Sequence, residues 1–247
     1  MTLLSCATLA LASVAATPSA YADDPPKGEV KAQEELKPSA GVTDRWGTLG
    51  GTTLGEGMAL RAQIGGGSML NHNNGYLNLD AGLLIALGQS FDLVVDLKLP
   101  LLGNFGVIPA IGIRFNLVDD KVFHLALVAN VGVPIIFSPG VSVGLNVEPG
   151  LVVSYFFSER VELFSGLLFR YSPLFMNPWV PGTGHAAFHG IFRIGLAYTL
   201  STSNMGFFIN GDAQAGYEPQ RRFINIGDRA SGLSLNFAVN AGTQFKF

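Results

Sequence analysis

The sequence predicts an all-β fold: a transmembrane antiparallel up-and-down β-barrel of about ten strands, with eight to twelve as the range. Three observations predict it. From Met58 onward the chain divides into ten segments in which apolar residues recur at every second position, as in strands whose successive side chains point to opposite faces. No Asp, Glu, Lys or Arg falls on any of the ten apolar faces. The connections alternate in length, short after even-numbered segments and mostly longer after odd-numbered ones.

In chain order, the apolar faces begin with Leu60, Ala62 and Ile64, followed by Leu77, Leu79, Ala81, Leu83, Ile85 and Leu87. Phe91, Leu93, Val95, Leu97 and Leu99 mark the third; Ile111, Ile113, Phe115 and Leu117 mark the fourth. The fifth has Phe123, Leu125, Leu127, Ala129 and Val131, and the sixth Val143, Leu145, Val147, Leu151 and Val153. Val161, Leu163, Leu167 and Phe169 define the seventh; Phe188, Phe192, Ile194, Leu196 and Tyr198 the eighth. Phe207, Ile209, Ala213 and Ala215 form a weaker ninth, and the tenth runs from Leu233 to Phe247.

A soluble sandwich hides its apolar faces and has no need to exclude charge from them so completely. Lipid imposes that need, because a Lys or Arg facing the bilayer midplane costs about 2–4 kcal/mol. Composition agrees. The chain is 48% apolar and 13% charged, against about 25% charged in a soluble domain. After residue 22 no run of 18 apolar residues occurs, so helical spans are not expected. A net charge of −3 and the lack of a basic block give no sign of a nucleic-acid partner.

The short connections are 88–90, 118–121, 156–160 and 201–204; the long ones include 134–140, 172–185 and 218–231. This is the asymmetry of barrels with tight turns on one side of the membrane and larger loops on the other. Aromatic residues fall near the expected interfaces: Phe91, Phe115, Phe123, Tyr155, Tyr198, Phe207, Phe245 and Phe247 at the turn end, Tyr171 and Tyr217 at the loop end.

Residues 1–22 read as a signal peptide, with an apolar run from Leu3 to Ala16 and a small-x-small site at Ala20, Tyr21 and Ala22. Residues 23–56 read as a flexible periplasmic linker rich in Pro, Lys and Glu, its last part a glycine-rich lead into the first strand. The barrel is expected over 57–247. With Cys6 in the leader, the mature chain has no cysteine.

Asn240, Gly242, Phe245 and Phe247 supply a polar residue, a glycine, an apolar residue and a final aromatic at the spacing of a sorting signal. The tail thereby resembles the barrel-assembly signal of bacterial outer-membrane β-barrel proteins. That resemblance implies an outer-membrane location, and the barrel assembly machinery, outer-membrane lipids and lipopolysaccharide as partners. It covers eight residues and implies a class, not an activity.

Assigning the outward face fixes the inward one, which carries six acidic residues (Asp80, Asp92, Asp96, Glu148, Glu162, Asp212) and six basic ones (Arg61, Lys98, Arg114, Arg170, Arg193, Lys246). Folding the third and fourth strands about their loop places Arg114 beside Asp92 and Asp96. Arg61, Asp96, Glu148 and Arg193 are expected near mid-height. With Arg114 they form the candidate constriction or polar network. Equal numbers of both signs fit a packed, gated interior better than steady conduction, and small solutes are the candidate cargo.

The expected function is a small porin-like or structural outer-membrane protein. The alternatives are loop-mediated binding or adhesion, and a lipid- or peptide-modifying enzyme. The loop reading rests on Phe175, Met176 and Trp179 in one loop, and on Arg221, Arg222 and Arg229 in another, where guanidinium groups suit lipopolysaccharide phosphates. The four histidines, His72, His124, His185 and His189, have no metal-ligand spacing. No close His/Ser or Asp/His pair at a strand's outer end repeats the pattern of enzymatic barrels, so no catalytic residue, metal or cofactor is expected.

Overall fold

The computed structural model describes residues 49–69, 74–102, 105–137, 141–176, 186–200, 204–221 and 230–247. Every described residue belongs to one compact unit, Pro38–Phe247. The leader, most of the linker, and the loop residues Trp179, Arg222 and Arg229 lie outside the described residues.

The strands are β1 (Met58–Met69), β2 (Asn74–Gly88), β3 (Phe91–Leu102), β4 (Gly106–Asp119), β5 (Phe123–Gly132), β6 (Ile135–Ile136), β7 (Ser142–Gly144), β8 (Asn146–Ser158), β9 (Val161–Met176), β10 (Ala186–Thr199), β11 (Met205–Arg221) and β12 (Ala230–Lys246). Leaving out β6 and β7, each strand pairs antiparallel with the next, and β12 pairs with β1. The result is a closed barrel of ten strands. At the seam, Met58 N–H donates to the Phe247 carbonyl at 3.1 Å and Phe247 N–H donates to the Met58 carbonyl at 2.9 Å.

Closure and alternation orient the side chains as expected. Leu60, Ile64, Ile111, Ile113, Leu151, Leu167, Phe192, Ile194 and Val239 are exposed on the outer surface. All six acidic and six basic residues assigned to the inner face are buried or half-buried. Aromatic pairs mark both ends of the belt. Phe91 and Phe115 lie 6.5 Å apart at the turn end, and Tyr171 and Phe188 lie 4.9 Å apart at the loop end.

One region departs from the expected segmentation. The sixth barrel strand starts at Asn146 instead of Val143, and the connection 134–140 contains β6. The cause is the shortness of β5, which has ten residues and stops at Gly132. Beyond that level the upper edges of β4 and β9 would expose unpaired backbone groups. The β6–β7 hairpin bonds to Gly106 and Val107 of β4 on one side and to β9 on the other. The ninth segment, weak in sequence, is a 17-residue strand.

Ile113 sits midway along β4 on the outer face. Ile113→Arg should destabilise the barrel by about 2–4 kcal/mol, measured by urea unfolding in lipid vesicles. Unchanged stability would place this face away from lipid.

A luminal plug and a charged cavity

Before entering β1 the chain passes Gly55 and Gly57, whose φ angles of 74° and 78° lie in the left-handed region that glycine tolerates. On the far side of this bend, residues 49–54 lie inside the turn end of the barrel. Leu54 is fully buried, and Thr52 and Thr53 are 1% and 4% exposed. This corrects the expectation of a flexible lead over these residues. The segment is anchored, and four inward-facing side chains and one turn carbonyl specify its path.

Gly51 N–H donates to Ser154 Oγ at 2.7 Å, and Ser154 Oγ donates in turn to Glu162. Arg114 donates from Nη1 to the Thr52 carbonyl at 2.7 Å. The Thr53 hydroxyl donates to the Gln89 carbonyl at 3.0 Å, and Leu54 N–H lies 3.2 and 3.0 Å from the two Asp92 oxygens. These partners belong to β8, β9, β4, the β2–β3 turn and β3, so the segment crosses the bore. Leu54 packs with Ala59 and Leu84, while Leu49 packs against Phe164, Ala197 and Phe208. At Gly51 any Cβ would sit 2.6 Å from the His124 carbonyl oxygen and 2.9 Å from that of Val152. The pass between β5 and β8 therefore admits only a glycine.

Above the plug lies a cavity of about 200 Å³, with Leu49 in its wall. Its charged lining comprises Arg61, Lys98, Arg114, Arg170 and Arg193 with Asp80, Asp96, Glu148 and Asp212. Arg61 and Asp96 are bonded at 2.7 Å across the bare Gly82 of β2. Arg170 pairs with Glu148. Arg193 grips Asp212 through two bonds of 2.8 and 2.9 Å, and Asn210 adds a third at 2.9 Å. The Gln63 amide donates to Asp80 at 2.5 Å.

All five residues of the expected network, Arg61, Asp96, Arg114, Glu148 and Arg193, thus line one cavity. The expected grouping of Arg114 with both Asp92 and Asp96 is half met. Register sets Arg114 opposite Asp92 but Asp96 opposite Ala110, and Asp96 turns to Arg61. The sequence reading did not single out Ser154, Gln89 or Leu54. It also passed over apolar side chains facing inward: Val94, Val128, Val152, Leu168 and Ile191 are all buried.

One further pair differs from expectation. His189 Nε2 and Ser234 Oγ lie 2.9 Å apart across Gly216 of β11, in the loop-side part of the wall. Both are buried, and neither lines the cavity. Asp212 does not join them, being held by Arg193 and Asn210. Among the described residues no group of three or more His, Cys, Asp and Glu is placed to hold a metal ion.

No family model matches the sequence, and no curated protein does. Solved structures with a similar chain path include the translocator domain of the autotransporter NalP from Neisseria meningitidis, at 12% identity and a TM-score of 0.45, covering 78% of this chain and 89% of that one. The outer membrane protease OmpT from Escherichia coli aligns at 9% identity and a TM-score of 0.37, covering 77% of this chain and 95% of that one. The beta domain of the Bordetella autotransporter BrkA gives 12% identity and 0.37, with 78% and 100% covered. The barrel assignment stands on strand pairing and the apolar belt.

Gly51→Val should leave the barrel folded and expel the segment, because no valine Cβ fits between the His124 and Val152 carbonyls. Limited proteolysis in vesicles would read this as new cleavage around residues 49–54, with the barrel fragment intact. Continued protection of the segment would contradict the contact.

Proposed function

We propose that the protein is a porin-like outer-membrane barrel held shut by its own N-terminal segment. The observation that carries this reading is the course of residues 49–54 across the bore, with Thr52 and Leu54 buried and bonded to Arg114 of β4 and Asp92 of β3, and Gly51 bonded to Ser154 of β8. A barrel of this strand number has an interior close to side-chain width, so a strand-thick segment and its two leucines suffice to block it. The ion pairs that line the wall above the plug narrow the bore and favour small solutes over large ones. A purely structural barrel is the competing reading.

Planar-bilayer conductance separates the two. Wild-type protein should be largely silent, and a variant lacking residues 49–54 should open stable conductance. Neutralising Arg61, Asp96, Glu148 or Arg193 in the open variant should change its ion selectivity. Silence of the plugless barrel, shown to be folded by its heat-modifiable mobility, would leave the structural reading standing.

The same reading takes Asn240, Gly242, Phe245 and Phe247 as the assembly signal and the barrel assembly machinery as its receptor. Phe247 also closes the seam through its backbone. Phe247→Ala keeps those backbone bonds, so it should reduce the amount assembled in cells while leaving the stability of the refolded barrel within about 1 kcal/mol, the scale of a surface change. Normal assembly in cells would remove the signal role.

A further inference from the structure

Between β8 and β9 the ladder fails halfway along β9. Val147 pairs with Tyr171 and Gly150 with Leu168, while Glu148 and Pro149, which lie between, have no ladder partner on β9. The long ladders of the barrel are otherwise interrupted only at bulges near strand ends. Two prolines account for the gap. Leu145 N–H donates to the Pro173 carbonyl at 3.0 Å, and alternate residues of a strand address the same neighbour, so position 149 also faces β9. Antiparallel partners placed in this way exchange two bonds, but proline has no N–H to give. The carbonyls of Leu145 and Phe169 therefore receive no ladder bond from Pro173 and Pro149.

Side chains tie the same stretch together on one face only. On the inner face Arg170 pairs with Glu148, and the Ser172 hydroxyl donates to Asn146 Oδ1 at 2.8 Å, each link crossing from β9 to β8. On the outer face Phe169 and Tyr171 lean the other way, onto Phe188 of β10, with ring centroids 6.1 and 4.9 Å apart. Directly behind the gap lies the cavity, since Asn146, Glu148, Val152, Leu168 and Arg170 all line it. A thinly bonded layer of backbone thus separates the cavity from the membrane-facing surface, and the Glu148–Arg170 pair is its main tie.

We propose that the β8–β9 seam is a lateral entrance through which small, uncharged, lipid-soluble molecules pass from the membrane into the cavity, with Glu148 and Arg170 as its latch. Stretches held by few hydrogen bonds open first. Opening here uncovers two carbonyls that already lack ladder donors, so it costs less than at a fully paired seam. A route through lipid selects against charge, which would have to shed its water. Inside, Val94, Val128, Val152 and Leu168 offer apolar contacts. The size suits a molecule of one aromatic ring, because the cavity holds about 200 Å³ and a cavity of about 150 Å³ admits benzene. Such a molecule reaches the cavity with residues 49–54 still seated, so the entrance does not depend on the plug opening.

The test uses the chain with residues 49–54 intact, in lipid vesicles. Cys6 is the sole cysteine, so Val152→Cys combined with Cys6→Ser places a single thiol in the cavity wall. N-phenylmaleimide, neutral and lipid-soluble, should label it about tenfold faster than N-(4-carboxyphenyl)maleimide, an anion of similar shape. Glu148→Gln, which weakens the latch, should raise the neutral rate severalfold. Val147→Cys and Tyr171→Cys, opposite each other across the seam, lie at a spacing that a disulfide can bridge. That lock should cut the neutral rate about tenfold, and reduction should restore it; Asn146→Cys with Ser172→Cys is a second lock across the same seam. Heat-modifiable mobility shows that each variant is folded. No labelling of the folded barrel, equal rates for the two reagents, labelling that neither lock slows, or a Glu148→Gln barrel no faster than its parent would overturn the entrance. Conductance plays no part in this readout, so it is separate from the fate of the plugged-barrel reading.

Discussion

Inside a bilayer no water reaches the backbone, so every N–H and C=O within the apolar slab must find its partner in the protein. For strands the only complete solution is closure. The register of β12 on β1, from Ala59 opposite Lys246 to Met69 opposite Asn236, removes the last free edge. The same requirement accounts for the β6–β7 hairpin, which covers the upper edges of β4 and β9 where β5 has ended. Once the sheet closes, alternation leaves no choice of face. Lipid takes one set of side chains, and the other set shares a bore about one side chain wide.

Charged groups in so narrow a space need partners. Most of the twelve find them, at two levels. Near mid-height and above, three arginines take three carboxylates directly. Toward the turn end, Asp92 and Glu162 serve the plug instead: Asp92 meets the Leu54 amide, and Glu162 holds the serine that receives Gly51. Apolar wall residues fill what the charges leave. Phe164 and Phe208 receive Leu49, and Leu84 receives Leu54.

Barrel, strand number, facing and the membership of the charged network were legible in the sequence because lipid enforces them residue by residue. Ile113 and Phe115 against Arg114 and Asn116 is a pattern with one reading. The plug was not legible. Leu49, Gly50, Gly51, Thr52, Thr53 and Leu54 have neither period 2 nor period 3.6, and their partners lie as many as 110 residues away. A trace of it was nonetheless present. Apolar doublets at Leu83–Leu84, Val94–Val95, Leu127–Val128, Val152–Val153, Leu163–Phe164, Leu167–Leu168 and Phe207–Phe208 break the alternation. Each sends one apolar side chain inward, where an aqueous bore would have no use for it.

The energetics of the plug decide whether such a segment is a fixed part of the core or a movable one. Burying Leu49 and Leu54 contributes about 1.5–3 kcal/mol each. The bonds involving Asp92 and Arg114 contribute about 1.5–3 kcal/mol apiece, and the neutral ones from Gly51 and Thr53 about 0.5–1.5. Together these gains reach about 7–15 kcal/mol. Fixing six residues, two of them glycines with the most freedom to lose, costs about 6–12 kcal/mol. Gain and cost cover nearly the same range, and a segment whose terms come that close to cancelling is one that differential binding can shift. The Thr52 carbonyl, held by the Nη1 of Arg114 alone, is the contact through which so small a difference is most readily changed.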